Sequence, residues 1–203
     1  MAPRIVERGE GRPIVLVPGI QGRHEWSLPT VEALAALGRV ITYSLADEPT
    51  SGFSWQASLG FENYLRQLDD VLQRTDARRP VLVGVSYGGA VVTEYAARHR
   101  GEVAGLVVAS APPPAWLPAR ARRYMAAPIL MTPAFLLGAP FRAYPEIRAA
   151  FPEGRERWRF LTAHGRRVAS APTSPLRMVR RLRWLEQARF SVDQPLEIGR
   201  ASC

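Results

Sequence analysis

The sequence predicts an α/β fold, with a mostly parallel, doubly wound sheet covered by helices on both faces and a helical segment following it. Three observations predict this. Short apolar runs alternate with stretches of helical periodicity through the first half of the chain. The hexapeptide Gly84-Val85-Ser86-Tyr87-Gly88-Gly89 joins one such run directly to one such helix. After Pro112-Pro113-Pro114 the apolar runs stop, and helical stretches broken by prolines take over.

Taken in order, Pro13-Ile14-Val15-Leu16-Val17 is a continuous apolar run closed by Pro18-Gly19, the pattern of a strand buried on both faces. A helix follows over 28–37. Ser27 and Pro29 mark its start, Val31, Leu34 and Leu37 form its apolar stripe, and Gly38 ends it. Residues 39–45 are rich in β-branched side chains and predict a second strand, and the polar stretch 46–60 predicts a loop. Over 61–75, Phe61, Tyr64, Leu65, Leu68, Val71 and Leu72 fall at helical spacing and predict an amphipathic helix. A strand over 81–85, a helix over 90–98 and a strand over 103–109 complete the regular half.

This alternation implies right-handed crossovers and a parallel sheet. In such sheets ligands gather beyond the carboxyl ends of the strands, where Gly19-Ile20-Gln21 and Ser86 both fall. Residues 1–114 therefore predict the sheet core, 115–190 an inserted helical cap of short helices separated by prolines, and 191–203 a linker.

Composition narrows the function. A chain of 203 residues with 47% hydrophobic content can bury a sizeable core, which excludes disorder as its dominant state. No uncharged apolar stretch is long enough to span a bilayer, and the first residues lack the apolar core of a signal peptide, so a cytoplasmic protein is expected. The single cysteine, Cys203, leaves no internal disulfide and no cysteine-based metal site, and it does not stand at a prenylation position. The net charge is +9, carried by 27 arginines and no lysine. Residues 1–114 hold 11 arginines against 12 acids, whereas 115–203 hold 16 against 6. Arginine-only usage beside abundant alanine and proline fits compositional drift. No aromatic-interleaved basic patch accompanies the charge, so no nucleic-acid partner is expected.

The residues Ile14 to Gly22 and Gly84 to Gly89, separated by one strand-helix-strand-helix-strand unit, resemble the α/β-hydrolase superfamily over about residues 4–112. The resemblance implies a serine nucleophile, Ser86, that attacks an acyl carbonyl. It implies oxyanion donors from the backbone N–H groups of Tyr87 and Ile20, with Gln21 beside them in the oxyanion and substrate-binding loop. Family members commonly carry His-Gly where this chain has Pro18-Gly19. The expected substrate is a small apolar acyl compound, an ester or a related bond, and no cofactor or metal is implied.

In that family the triad order is serine, acid, histidine. After Ser86 the only histidines are His99, expected to point away from the site, and His164, expected as a polar surface or helix-end residue. His24 stands beside the oxyanion loop, where it would contact substrate if it acts at all. The strand after the nucleophile leads into Ser110-Ala111-Pro112, which has no carboxylate, and Asp193 and Glu197 fall in the linker. The sequence therefore reads as lacking the last strand-helix units, with impaired catalysis and strand 103–109 left as an uncovered sheet edge that invites self-association. The competing reading is a non-catalytic binding or interaction module, or an inert gene fragment.

The basic stretch from Leu176 to Phe190, with Met178, Leu182 and Leu185 at helical spacing, is expected as a cap helix that buries one stripe and solvates its arginines rather than as a membrane-surface helix. The aromatics and methionines Trp116, Tyr124, Met125, Met131, Phe135 and Phe141 suit either an apolar substrate pocket or ordinary packing.

Overall fold

Alternate residues of the first long apolar run enter opposite cores. In β2 (Pro13–Val17), Val15 and Val17 join one buried cluster while Ile14 and Leu16 join another. That split follows from the period of two in a strand and requires cover on both faces of the sheet. The computed structural model describes residues 4–111, 119–128 and 144–188.

The sheet has five strands: β1 (Ile5–Arg8), β2, β3 (Arg39–Tyr43), β4 (Val81–Val85) and β5 (Gly105–Ala109), in the order β1-β3-β2-β4-β5. β2, β3, β4 and β5 pair in parallel, and β1 runs antiparallel against β3, with Ile5 opposite Tyr43. The edge strand β1 is absent from the sequence expectation. It is four residues long and half polar, and it becomes a strand only because β3 offers it an edge.

Helix α1 (Leu28–Leu34) covers one face, with Val31 against Ile14, Leu16, Val40 and Val83. It is a turn shorter than expected. Leu37 is 73% exposed and does not belong to the stripe. A Cβ on Gly38 would stand 2.5 Å from the Arg12 carbonyl, so the chain must already turn there to enter β3. Helices α2 (Glu62–Arg74) and α3 (Tyr87–Arg98) cover the other face. Tyr64, Leu65, Leu68 and Val71 of α2 lie in the main cluster, as their spacing predicts.

The second half contributes α4 (Ala119–Ala126), α5 (Tyr144–Ala150), α6 (Gly154–Ser170) and α7 (Pro175–Gln187). Prolines set the boundaries as expected. α7 starts with Pro175 at its first position, and the Ser174 hydroxyl accepts from the Arg177 N–H at 3.4 Å. α6 reaches 17 residues, longer than the short helices expected, because no proline falls between Pro152 and Pro172. α7 packs Met178, Val179, Leu182 and Leu185 into the same cluster as α2 and α3.

Among the described residues β5 pairs with β4 alone, and it exposes Val107 (49%) and Val108 (45%). That apolar edge is the feature on which the expectation of self-association rests. No helix among the described residues is long and apolar enough to cross a membrane.

Candidate active site

β4 ends at Val85, and the chain turns so sharply at Ser86 that its φ is 52° and its ψ is −116°. A non-glycine residue there carries strain of about 1–3 kcal/mol, which only surrounding contacts can hold in place. Those contacts are present. The Ser86 N–H donates to the Ala109 carbonyl at 2.8 Å, carrying the β4–β5 pairing one residue further, and the Gly89 N–H donates to the Ser86 carbonyl at 2.9 Å.

The flanking glycines allow the close approach. A Cβ at Gly84 would stand 2.5 Å from the Gly88 carbonyl, one at Gly88 would collide with the Val17 carbonyl, and one at Gly89 would collide with the Ala111 side chain. α3 starts at Tyr87, earlier than the sequence suggests. The N–H groups of Tyr87 and Gly88 therefore lie in the first turn, where a helix offers no acceptor of its own.

The loop after β2 meets this elbow. A Cβ on Gly19 would lie 3.6 Å from Ser86 Cβ and 3.2 Å from Gln21 Oε1, so Gly19 abuts the serine and the Gln21 side chain folds back over it. Residues 19–22 form a β-turn closed by the Gly22 N–H donating to the Gly19 carbonyl at 2.9 Å, with Ile20 and Gln21 at its centre. Ser86, Ile20, Gln21 and Tyr87 are thus brought to the carboxyl ends of β2 and β4. Ser86, Ile20 and Gln21 are half-buried, and the Tyr87 side chain is buried edge-on to Tyr64, with ring centroids 5.5 Å apart.

One residue departs from what the sequence predicts. Arg181 of α7, expected in solvent, is completely buried. Its Nη1 donates to the Ile20 carbonyl at 2.7 Å, its Nε and Nη2 donate to Asp47 Oδ1 at 3.0 and 2.7 Å, and Nη2 also donates to Glu48 Oε1 at 2.6 Å. Asp47 and Glu48 are themselves buried. Burial alone would lower the Arg181 pKa, but the adjacent carboxylates more than offset it and leave it raised. Tyr64 Oη, Tyr87 Oη and Asp47 Oδ2 are buried without a hydrogen-bond partner among the described residues. Burial pushes both phenols well above their ordinary range. The spacing did carry a signal: position 181 is three residues after Met178 and four before Leu185, on the buried stripe itself. Asp47 and Glu48 had no such signal inside a polar loop.

The histidines lie elsewhere. His24 is 2% exposed, with Nδ1 held 3.0 Å from Ser44 Oγ, so its ring is committed inward. His99 caps the far end of α3, stacked on Tyr95 at 4.1 Å and roughly 20 Å along the helix from Ser86. His164 is neither a helix-end nor a fully exposed residue. It sits within α6, half-buried, edge-on to Trp26 at 5.4 Å. Among the described residues no side chain hydrogen-bonds to Ser86 Oγ, and no group of three or more potential ligands could hold a metal. Asp193, Glu197, Trp116, Met131, Phe135 and Phe141 lie outside the described residues. Met125 packs against the main core. A cavity of about 310 Å³ beside the Asp47–Glu48 loop is lined in part by Phe53, Trp55 and Arg180, and Ser86 does not reach it.

Burial lowers the pKa of His24, partly opposed by Glu25, and burial likewise lowers that of His164. The folded protein thus holds both rings neutral more firmly than the unfolded chain does. Their contribution is present above the unfolded value of about 6.5 and is lost as pH falls through the lower folded value. The urea midpoint is therefore expected to fall from pH 7 to pH 5, and to fall less steeply in His24→Gln. An unchanged slope in that variant would remove His24 from the account.

The alpha/beta hydrolase family model matches residues 14–193, and the chain belongs to that family. Several solved structures share its fold. An esterase from Exiguobacterium antarcticum superimposes with a TM-score of 0.67 at 17% identity, over 93% of this chain and 70% of that one. A thermophilic esterase from Thermogutta terrifontis gives 0.65 at 20% identity, over 94% and 69%. A bromoperoxidase from Bacillus anthracis gives 0.63 at 21% identity, over 90% and 68%. At these identities the likeness is one of fold. By family, the chain is an enzyme of the hydrolase type.

Proposed function

We propose that the protein is a serine hydrolase that attacks an ester-like or other acyl substrate of small, apolar character through Ser86. Tyr87 and Ile20 supply the oxyanion-binding N–H groups, and Gln21 lines the acyl site. The observation that carries this reading is the strained elbow at Ser86, φ 52°, held directly against Gly19. Strain of that kind at a helix N-terminus raises a hydroxyl above the strand ends, beside backbone donors that need no reorganisation when negative charge develops. Each such donor contributes about 3–4 kcal/mol of barrier lowering in comparable sites.

The absence of a base bonded to Ser86 among the described residues favours low turnover by the 203-residue chain, below about 1 s⁻¹ on a p-nitrophenyl ester. Turnover above that rate that vanishes in Ser86→Ala would overturn the impaired reading while supporting Ser86 as the nucleophile. A fluorophosphonate probe tests the nucleophile more directly, since an activated serine oxygen attacks its phosphorus and expels fluoride, whereas an idle serine is spared. Slow labelling of the wild type and none of Ser86→Ala is the expected result. If the wild type is not labelled, the same missing base favours the second reading, a non-catalytic module that keeps the fold and binds without turnover.

A further inference from the structure

The β-turn at residues 19–22 is held from outside through the carbonyl at its centre. The Ile20 carbonyl is one of the groups that Arg181 grips, at 2.7 Å. The same guanidinium fills the space that a Cβ on Gly22 would occupy, and Gly22 takes a φ of 76° that suits a glycine. Gly22 is in turn fixed to the segment that follows β3, its carbonyl accepting from the Leu45 N–H at 2.6 Å. On its other side the guanidinium is held by Asp47 and Glu48, and a second α7 arginine, Arg177, approaches Glu48 at 3.4 Å.

From this geometry we infer that Arg181 is a positioning residue: it pins the Ile20 carbonyl of the Gly19–Gly22 turn, so that the seating of α7 holds Ile20, whose N–H is the proposed donor, in place beside the Ser86 elbow. The inference rests on the proposed oxyanion role of this loop for its catalytic meaning, but the pinning itself is a property of the turn. Both residues proposed as donors converge on the same place, since Tyr87, whose N–H opens α3, buries its ring against Tyr64 beside the Arg181 cluster. A lysine cannot replace the clamp. A point charge with three donors cannot match a planar fork that bonds a carbonyl and two carboxylates at once.

Amide hydrogen exchange tests the pinning without any turnover. In Arg181→Lys, exchange at Gly22 and Leu45 is expected to accelerate roughly tenfold while Leu82 and Val83 in the centre of the sheet keep the wild-type rate. In Arg181→Ala, guanidinium ion at a non-denaturing concentration is expected to restore slow exchange at Gly22 and Leu45, and methylammonium is not. Acceleration spread equally over Leu82 and Val83, or rates at Gly22 and Leu45 within twofold of wild type, would overturn the proposal by making Arg181 merely structural or irrelevant to the turn. Fluorophosphonate labelling of the same proteins separates the two readings. Failure to label the wild type removes Ser86 as an activated nucleophile and leaves the exchange result standing, and a labelling rate that falls in Arg181→Lys without weaker probe binding joins the two.

Discussion

Replacing Arg181 by methionine is expected to lower the unfolding free energy by about 3–5 kcal/mol, read from urea denaturation at neutral pH. The stem of methionine fills part of the space, but Asp47 and Glu48 would remain buried with their main cation gone, and the Ile20 carbonyl would lose its donor. An unpaired buried carboxylate is far more costly than a missing pair, so the double variant Arg181→Met/Asp47→Asn is expected to lose less than the sum of the two single changes. Strict additivity would show that the guanidinium and Asp47 do not act as a unit.

Gly88→Ala is expected to cost about 3 kcal/mol or more, beyond the usual range for overpacking by a methyl group. The added Cβ meets the carbonyls of Val17 and Pro18, and these are backbone atoms at the end of the central strand β2 and just beyond it, which no rotamer change can move aside. Helix α3 would have to lift away from the end of β2, separating Ser86 from Gly19. In a helix interior the same substitution ordinarily stabilises, because alanine is the better helix former. The sign of the measured change therefore decides whether close approach or propensity governs this position. A stability equal to or above wild type would mean that the elbow does not depend on contact between α3 and β2.

Much of the architecture was legible because burial on both faces leaves a plain mark. Strands β2 and β4 are unbroken apolar runs, α2 carries its stripe at the helical period, and the glycines around Ser86 announce a turn too tight for side chains. Where the signal is weaker, the expectation slipped. Strand β1 is four half-polar residues that only an available edge makes into a strand. Leu37 continues the apolar spacing of α1, yet the chain has already left the helix to enter β3. Residue type alone places Arg181 in solvent, although its spacing puts it on the buried face.

By itself, then, the sequence determined the parallel sheet, the placing of helices around it and the serine at the strand-to-helix turn, because those follow from local periodicity and from the steric demands of glycine. Only the tertiary structure decided that Arg181, Asp47 and Glu48 form one buried cluster against Ile20 and Gly22, from positions more than a hundred residues apart. The physical reason is that a charge is buried only when distant partners arrive together to replace its water, and no local pattern records which partners those will be.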